Sequence, residues 1–331
     1  MTAADQAANS LLTSERRGGG GGRGARAMFG DVAAVRSDPI WSGVALVALI
    51  VVWWLTTRTW GFPQAFKDAA EAAAAAEGRT LTQADLVAAC QLAEDCSDDD
   101  YTQILNPRRF PSPRDTWLGF NELRTDGFKN ITLWEHTWTS LWRVIRGMFF
   151  GTVFGVPIGF AMGLSSKLRG LFDTPVELFR PIPPLAILPL FLLWFGIGDP
   201  SSVRLLIFAS IWIMIIAARA GVQTVNLSKV RAAYSLGASR WQILRRVILP
   251  NALPEIFTGI RIALGVSWGT LVAAELVGTD TGLGAMIFQA RAFFRVDVMV
   301  VGIIIIAVIG VLMDLLMRVL EDRLVPWRGK S

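Results

Sequence analysis

An all-α integral membrane protein of about six transmembrane helices is what this sequence predicts, and three observations predict it. Hydrophobic residues fill 53% of the 331 positions and charged residues only 18%, where soluble domains carry roughly 25% charge. Mean hydropathy is +0.45. The apolar residues also gather into runs of about 20, the length that crosses a hydrocarbon core as a helix. A water-soluble fold of this size cannot bury so much apolar surface, so lipid covers part of it.

Residues 1–40 are polar, small and basic, and read as a cytoplasmic tail. Arg16, Arg17, Arg23, Arg26 and Arg36 precede the first apolar run, which under the positive-inside rule places the N-terminus inside. That run, 41–57, reads as the first transmembrane helix, with Trp53 and Trp54 as an interfacial belt near its far end. It starts too late and resembles a span too closely to be a cleavable signal peptide. Gly18 to Gly22 reads as a flexible linker.

Residues 58–137 read as one extracytoplasmic insert. Between Lys67 and Glu135 there are thirteen acids and seven bases, a net sign opposite to the +5 of the whole chain. Ala69 to Ala76 suits a short helix and Asp98-Asp99-Asp100 a solvated turn. From Phe110 the chain returns to the membrane through an amphipathic helix. Cys90 and Cys96 would bridge in an oxidising compartment or serve as small packing residues, and both readings stay open.

The remainder, 138–331, reads as a five-helix core. The expected spans are 141–164, a third following Pro181, Pro183, Pro184 and Pro189 and ending near Gly196, then 204–221, 256–277 and 298–319. Glycines 147, 151, 155, 159 and 163 form a stripe at helical spacing in the second span, which lets a neighbouring backbone approach closely. The polar stretch 222–255 carries Lys229, Arg231, Arg240, Arg245 and Arg246, whereas the loop at 198–203 has one aspartate and no base. Six spans and this charge pattern put the 222–255 loop and the C-terminus in the cytoplasm with the N-terminus.

The same inventory removes several chemistries. With one histidine, His136, and two cysteines, no zinc, haem or iron–sulfur ligand set can be assembled from those residue types. The only Gly-Lys-Ser, at 329–331, has Leu324 where a phosphate-binding loop needs glycine. No cofactor is therefore expected on this chain, and any ATP and Mg must be bound by another. The excess positive charge lies beside spans, so its partner is lipid and not nucleic acid. No nucleophile–base pair appears among the spans, so the chain does not read as an enzyme.

The informative stretch is Arg231-Ala232-Ala233-Tyr234-Ser235-Leu236-Gly237-Ala238-Ser239, followed by Val247-Ile248-Leu249-Pro250. Read physically, it is a short helix, a glycine that stops it, a second helix and a proline-containing run returning to the membrane. Small residues such as Ala232 and Ala233 allow a partner's groove to close over the helix. This spacing resembles the Glu-Ala-Ala…Gly…Ile-x-Leu-Pro loop of the permease subunits of bacterial ABC importers. Ala232, Ala233, Gly237, Leu249 and Pro250 match by position, while Arg231 stands in place of the glutamate and Val247 in place of the isoleucine.

A narrower resemblance covers roughly 110–331. Phe179-Arg180-Pro181-Ile182-Pro183-Pro184, Leu193-Trp194-Phe195-Gly196-Ile197-Gly198 and Leu271-Val272-Ala273-Ala274-Glu275-Leu276 are similar to the nitrate, sulfonate and taurine permease group. Arg231, the lead-in Trp268-Gly269-Thr270 and the closing Val325-Pro326-Trp327 are most similar to its taurine branch. The resemblance implies a type I ABC importer permease in the bacterial inner membrane that pairs with a second copy of itself, as a homodimer, or with a close paralogue. It implies cytoplasmic ATPase subunits docked at about 229–243, an extracytoplasmic substrate-binding protein, and taurine or a related sulfonate as cargo. Nitrate, bicarbonate or another oxyanion is the alternative cargo. A self-sufficient ion-coupled carrier would need ionisable groups deep in its spans, and Glu275, Asp314 and Arg318 fall near span ends.

Pathway or gate candidates are Glu275, Trp268 and Arg180. Glu275 is an ionisable group at a span end, best read as a carboxylate capped by hydroxyls or backbone N–H groups. Arg180 stands at a broken entry to the third span and is expected near the cytoplasmic face, its charge snorkelling to headgroups. Asp314 and Arg318 suit an intrahelical pair. His136 reads as interfacial, beside the tryptophan belt at 134, 138 and 142.

Overall fold

The structure is a computed structural model that describes residues 39–58, 64–76, 81–92, 104–106 and 109–327. The N-terminal tail, Asp98-Asp99-Asp100, Cys96 and the last four residues lie outside the described residues. Two compact units are present, 1–52 and Trp53–Ser331. Among the described residues every regular element is helical, apart from one isolated bridge between Phe128 and Ile131.

Helix α1 (Pro39–Thr57) is the first apolar run. Trp53, in its last two turns, donates from its indole nitrogen to the Pro111 carbonyl at 3.1 Å. In the insert, α2 (Gln64–Ala76) and α3 (Gln83–Leu92) bury Ala70, Leu86, Val87 and Cys90 against each other. Cys90 is disulfide-bonded. Helix α4 (Pro113–Thr125) opens on a capping box between Ser112 and Asp115, which satisfies two otherwise orphaned N–H groups. Asp115 also accepts from the Gln83 amide at 3.2 Å, tying α3 to α4. Burial pushes the Asp115 carboxyl above its ordinary value, against these hydrogen bonds.

Among the described residues four helices are long and apolar enough to cross a membrane, or five if a bent pair counts as one span. Helix α5 (Leu133–Leu164) starts eight residues before the expected 141, because Thr132 caps it by accepting from the Glu135 amide. Helices α6 (Ser166–Phe179) and α7 (Pro184–Phe195) are the bent pair, at 96° to each other. The expected third span is thus a 12-residue helix reached through a corner. Pro181 and Pro183 cannot donate to the preceding turn and bias the residues before them away from helix, whereas Pro184 suits the first turn of α7.

Helix α8 (Asp199–Gln223) forms the centre, flanked by α5 on one side and the long helix α11 (Leu249–Gly278) on the other. The glycine stripe explains the first contact. A Cβ at Gly155 would sit 2.8 Å from the Ile211 carbonyl, and one at Gly163 would sit 2.6 Å from Val222 Cβ. Gly147, Gly151 and Gly159 face Leu206, Ser210 and Ile215 in the same way. The main apolar core runs between these three helices through Val144, Leu206, Met214, Ala263 and Leu271.

Between α8 and α11 stand the short α9 (Leu227–Ser235), a turn at Gly237, and α10 (Arg240–Ile243). A π-helical turn at Leu244–Ile248 leads from α10 into α11. Pro250 cannot bond back to the carbonyl four residues before it, and its ring would crowd that turn. The wider turn before it, closed by Leu249 N–H donating to Leu244 O, accommodates that break, and the helix runs unbroken through Pro254 as well. Helices α12 (Leu283–Ala292) and α13 (Val296–Leu324) complete the chain.

Candidate functional site

Three regions of the bundle carry polar chemistry. The first is the end where α5, α8 and α11 meet the α11–α12 connection. Glu275, with none of its side chain exposed, accepts from Ser140 Oγ at 2.8 Å, Arg143 Nη1 at 2.7 Å and the Gly284 amide at 2.8 Å. Arg143 is itself only 2% exposed. Its remaining N–H groups donate to the Thr281 carbonyl at 2.6 Å and to Asp199 at 2.8 Å, and Arg146 holds the other oxygen of Asp199 at 2.8 Å. Desolvating the Arg143–Glu275 pair is tolerable because both side chains are hydrogen-bonded to several partners, whereas Arg146 Nε has none among the described residues.

The connection 279–282 folds back over this cluster. Gly282 has φ +122°, and a Cβ there would collide with the Glu275 carboxylate. Only glycine suits both the left-handed backbone and the close approach. His136 belongs here too, which corrects its expected interfacial place. It is 1% exposed, and its Nδ1 lies 3.1 Å from the Gly282 amide nitrogen and 3.0 Å from the Gly282 carbonyl oxygen. The exposed ladder is instead Trp134, Trp138 and Trp142, stacked at 6.1 Å between successive rings.

The second region is a cavity of about 460 Å³ between α8, α11 and the α6–α7 corner. Its walls are mostly apolar, with Trp212, Ile216 and Ile262 among them, and its charged lining residues are Arg180 and Glu255. Phe179, beside Arg180, stacks on Trp212 at 5.2 Å. Trp268 is not in this wall. It is 8% exposed within the main core, where its indole nitrogen has no hydrogen-bond partner among the described residues.

The third region is α9 and the turn after it. No residue of α9 is buried. Arg231, Ala232 and Gly237 are exposed and Ala233 is half-buried, while Leu236 and Trp241 are 88% and 66% exposed. Gly237 has φ +79°, and its amide and that of Ala238 donate to the Tyr234 and Ala233 carbonyls at 2.9 and 3.1 Å. That is the left-handed cap with which helices often end. Leu249 and Pro250 sit at the start of α11, where Lys229 of α9 donates to the neighbouring Asn251 at 3.5 Å.

Residues 151–326, more than half of the chain, match the family described as binding-protein-dependent transport system inner membrane component. The chain belongs to that family. The permease is 47% identical over 232 residues to the taurine transport system permease protein TauC of Escherichia coli, an alignment covering 69% of this chain and 83% of the relative. It is 37% identical over 223 residues to a putative aliphatic sulfonates transport permease protein, SsuC, of the same organism, covering 67% and 83%. Among solved structures, an inward-facing MetNI methionine ABC transporter aligns with TM-score 0.51 at 23% identity, covering 59% of this chain and 94% of that one. This last likeness concerns the fold.

The permease is thus a multi-pass membrane protein and the permease component of an ABC importer, as the loop motif and the narrower resemblance predict. Of the residues singled out in its sequence, Glu275 lies at one end of the bundle, Arg180 in the cavity wall and the 231–237 segment on α9. The sequence reading passed over Arg143, Asp199 and Arg261. An arginine two residues into the expected 141–164 span was the available signal for the first. Arg261 donates to Asp314 at 3.0 Å, so the Asp314–Arg318 pair, present at 2.8 Å, also ties α11 to α13.

Proposed function

We propose that this permease imports taurine or a related small alkanesulfonate across the bacterial inner membrane, paired with a second copy of itself. Cassette ATPase subunits dock on the cytoplasmic segment 229–243 and bind and hydrolyse ATP with Mg. An extracytoplasmic binding protein delivers the solute at the opposite end of the bundle, and both termini are cytoplasmic. Closure of the ATPases moves α9 and, through α10 and the π-helical turn, tilts α11 against α8. The central cavity then alternates between the two faces. The observation that carries this reading is a helix with no buried residue that ends in a left-handed cap, four residues before the helix 240–278 that is long and apolar enough to span. Arg231, Ala232, Ala233 and Gly237 form the docking surface, with Leu249 and Pro250 at the joint to α11. The sulfonate rests on the likeness to TauC.

Uptake of labelled taurine by the native host, with and without this gene, tests the cargo. Excess nitrate and an alkanesulfonate serve as competitors. Loss of uptake on deletion, with competition by the sulfonate alone, is expected. Unchanged uptake under sulfur limitation would transfer the cargo to nitrate, bicarbonate or another oxyanion.

A further inference from the structure

Arg180 stands at the α6–α7 corner, beside the middle of α8. Phe179 stacks on Trp212, which is thirteen residues into α8 from Asp199, about 20 Å along the helix axis. Helix α8 has 25 residues, so Trp212 is close to its middle.

Several arginines of the bundle are answered by acids, while Arg204 donates to the Pro200 carbonyl and Arg169 to the Met162 carbonyl. Arg143 and Arg146 meet Asp199, Arg219 meets Asp173, and Arg261 and Arg318 meet Asp314. The Arg180 guanidinium has no ion pair or hydrogen bond among the described residues, and it lines the cavity. An arginine that lines a cavity among spanning helices with no acid to answer it marks a candidate pathway for an ion or substrate. Glu255, the acid of the same wall, lies eleven residues before Val266 on α11, about 17 Å further toward the α9 end. The cavity therefore carries a cation from the α6–α7 corner and a carboxylate toward its α9 end, among mostly apolar walls.

Building on the reading of this chain as a sulfonate permease, we propose that Arg180 receives the anionic group of the solute inside the membrane. The planar guanidinium donates two parallel N–H bonds to sulfonate oxygens, and the apolar wall takes the short alkyl chain.

The test uses the complete importer, this permease with its ATPase and binding-protein partners, in proteoliposomes. Labelled taurine moved per ATP hydrolysed is compared for wild type, Arg180→Lys and Arg180→Gln. Loss of a charged hydrogen-bonding group should lower that ratio at least about tenfold in Arg180→Gln, with partial retention in Arg180→Lys. A wild-type complex that moves no sulfonate would overturn the cargo reading and this one together. A wild type that moves taurine alongside an Arg180→Gln complex with the same ratio would overturn the role of Arg180 alone. Failure of both variants to assemble would also overturn it, since the arginine would then serve to join subunits.

Discussion

Arg143 and Glu275 stand 132 positions apart in the chain and meet at 2.7 Å, with 2% and 0% of their side chains exposed. Removing one member of such a pair strands the other, at a cost of about 3–5 kcal/mol. Glu275→Ala should therefore lower thermal stability sharply. Glu275→Gln should lower it less, because an amide oxygen still accepts from Ser140 and Gly284. Thermal unfolding of the purified permease in detergent measures both. Equal midpoints for Glu275→Ala and wild type would show that the cluster does not hold the α11–α12 connection.

The α5–α8 contact predicts a sharp difference between two glycines. Gly151 faces Ser210 so closely that a Cβ has no room, whereas a Cβ at Gly170 meets nothing within 4 Å. Gly151→Val should separate the helices and cost at least about 1–3 kcal/mol, leaving little folded permease in the membrane fraction. Gly170→Ala should accumulate like wild type. Similar yields of the two variants on size-exclusion chromatography would contradict the packing described.

Gly237 separates docking from folding. No atom lies within 4 Å of the position a Cβ would take there, so Gly237→Asp should leave the permease inserted and its bundle intact. The left-handed backbone penalises any side chain by about 1 kcal/mol, and the new charge sits on the surface offered to the ATPase. Uptake should be abolished while immunoblots of membranes show normal amounts. Normal uptake by this variant would sink the docking role of α9.

Asp314 has two guanidinium partners of unequal weight. Arg318 is 58% exposed and sits one turn away on the same helix, whereas Arg261 is 28% exposed and reaches across from α11. Arg318→Leu should change stability by no more than about 0.5 kcal/mol. Arg261→Leu, which also removes the contact to Glu321, should cost clearly more. A reversed order in unfolding midpoints would mean that α13 is held to α11 by its apolar face alone.

Much of this architecture is readable along the chain because it depends on short-range pattern. Apolar runs mark the spans, the four-residue glycine period marks the α5–α8 contact, and Arg231 to Pro250 marks the short helix, turn and return to α11. The polar cluster is different in kind. Arg143, Asp199 and Glu275 belong to three helices and pair only after those helices pack, so neighbouring sequence carries no trace of the match. His136 misleads for a related reason. Its tryptophan neighbours at 134 and 138 point outward, while the histidine faces inward, on the same side of α5 as Ser140 and Arg143. The prolines at 181, 183 and 184 announce a break, yet composition says nothing of its 96° angle or of the cavity that Arg180 comes to line.

The π-helical turn at Leu244–Ile248 makes the stretch between docking helix and span sensitive to chain length. A residue added to a helix rotates everything beyond it by about 100° about the axis, and a π turn accommodates one such extra residue. Deleting Val247 would let the ladder close as an ordinary α-helix and would swing α9 roughly a quarter-turn around α11. Each side chain of α9 would survive such a deletion, yet all would face a different way. The direction in which α9 points is therefore set by residue count as much as by residue type.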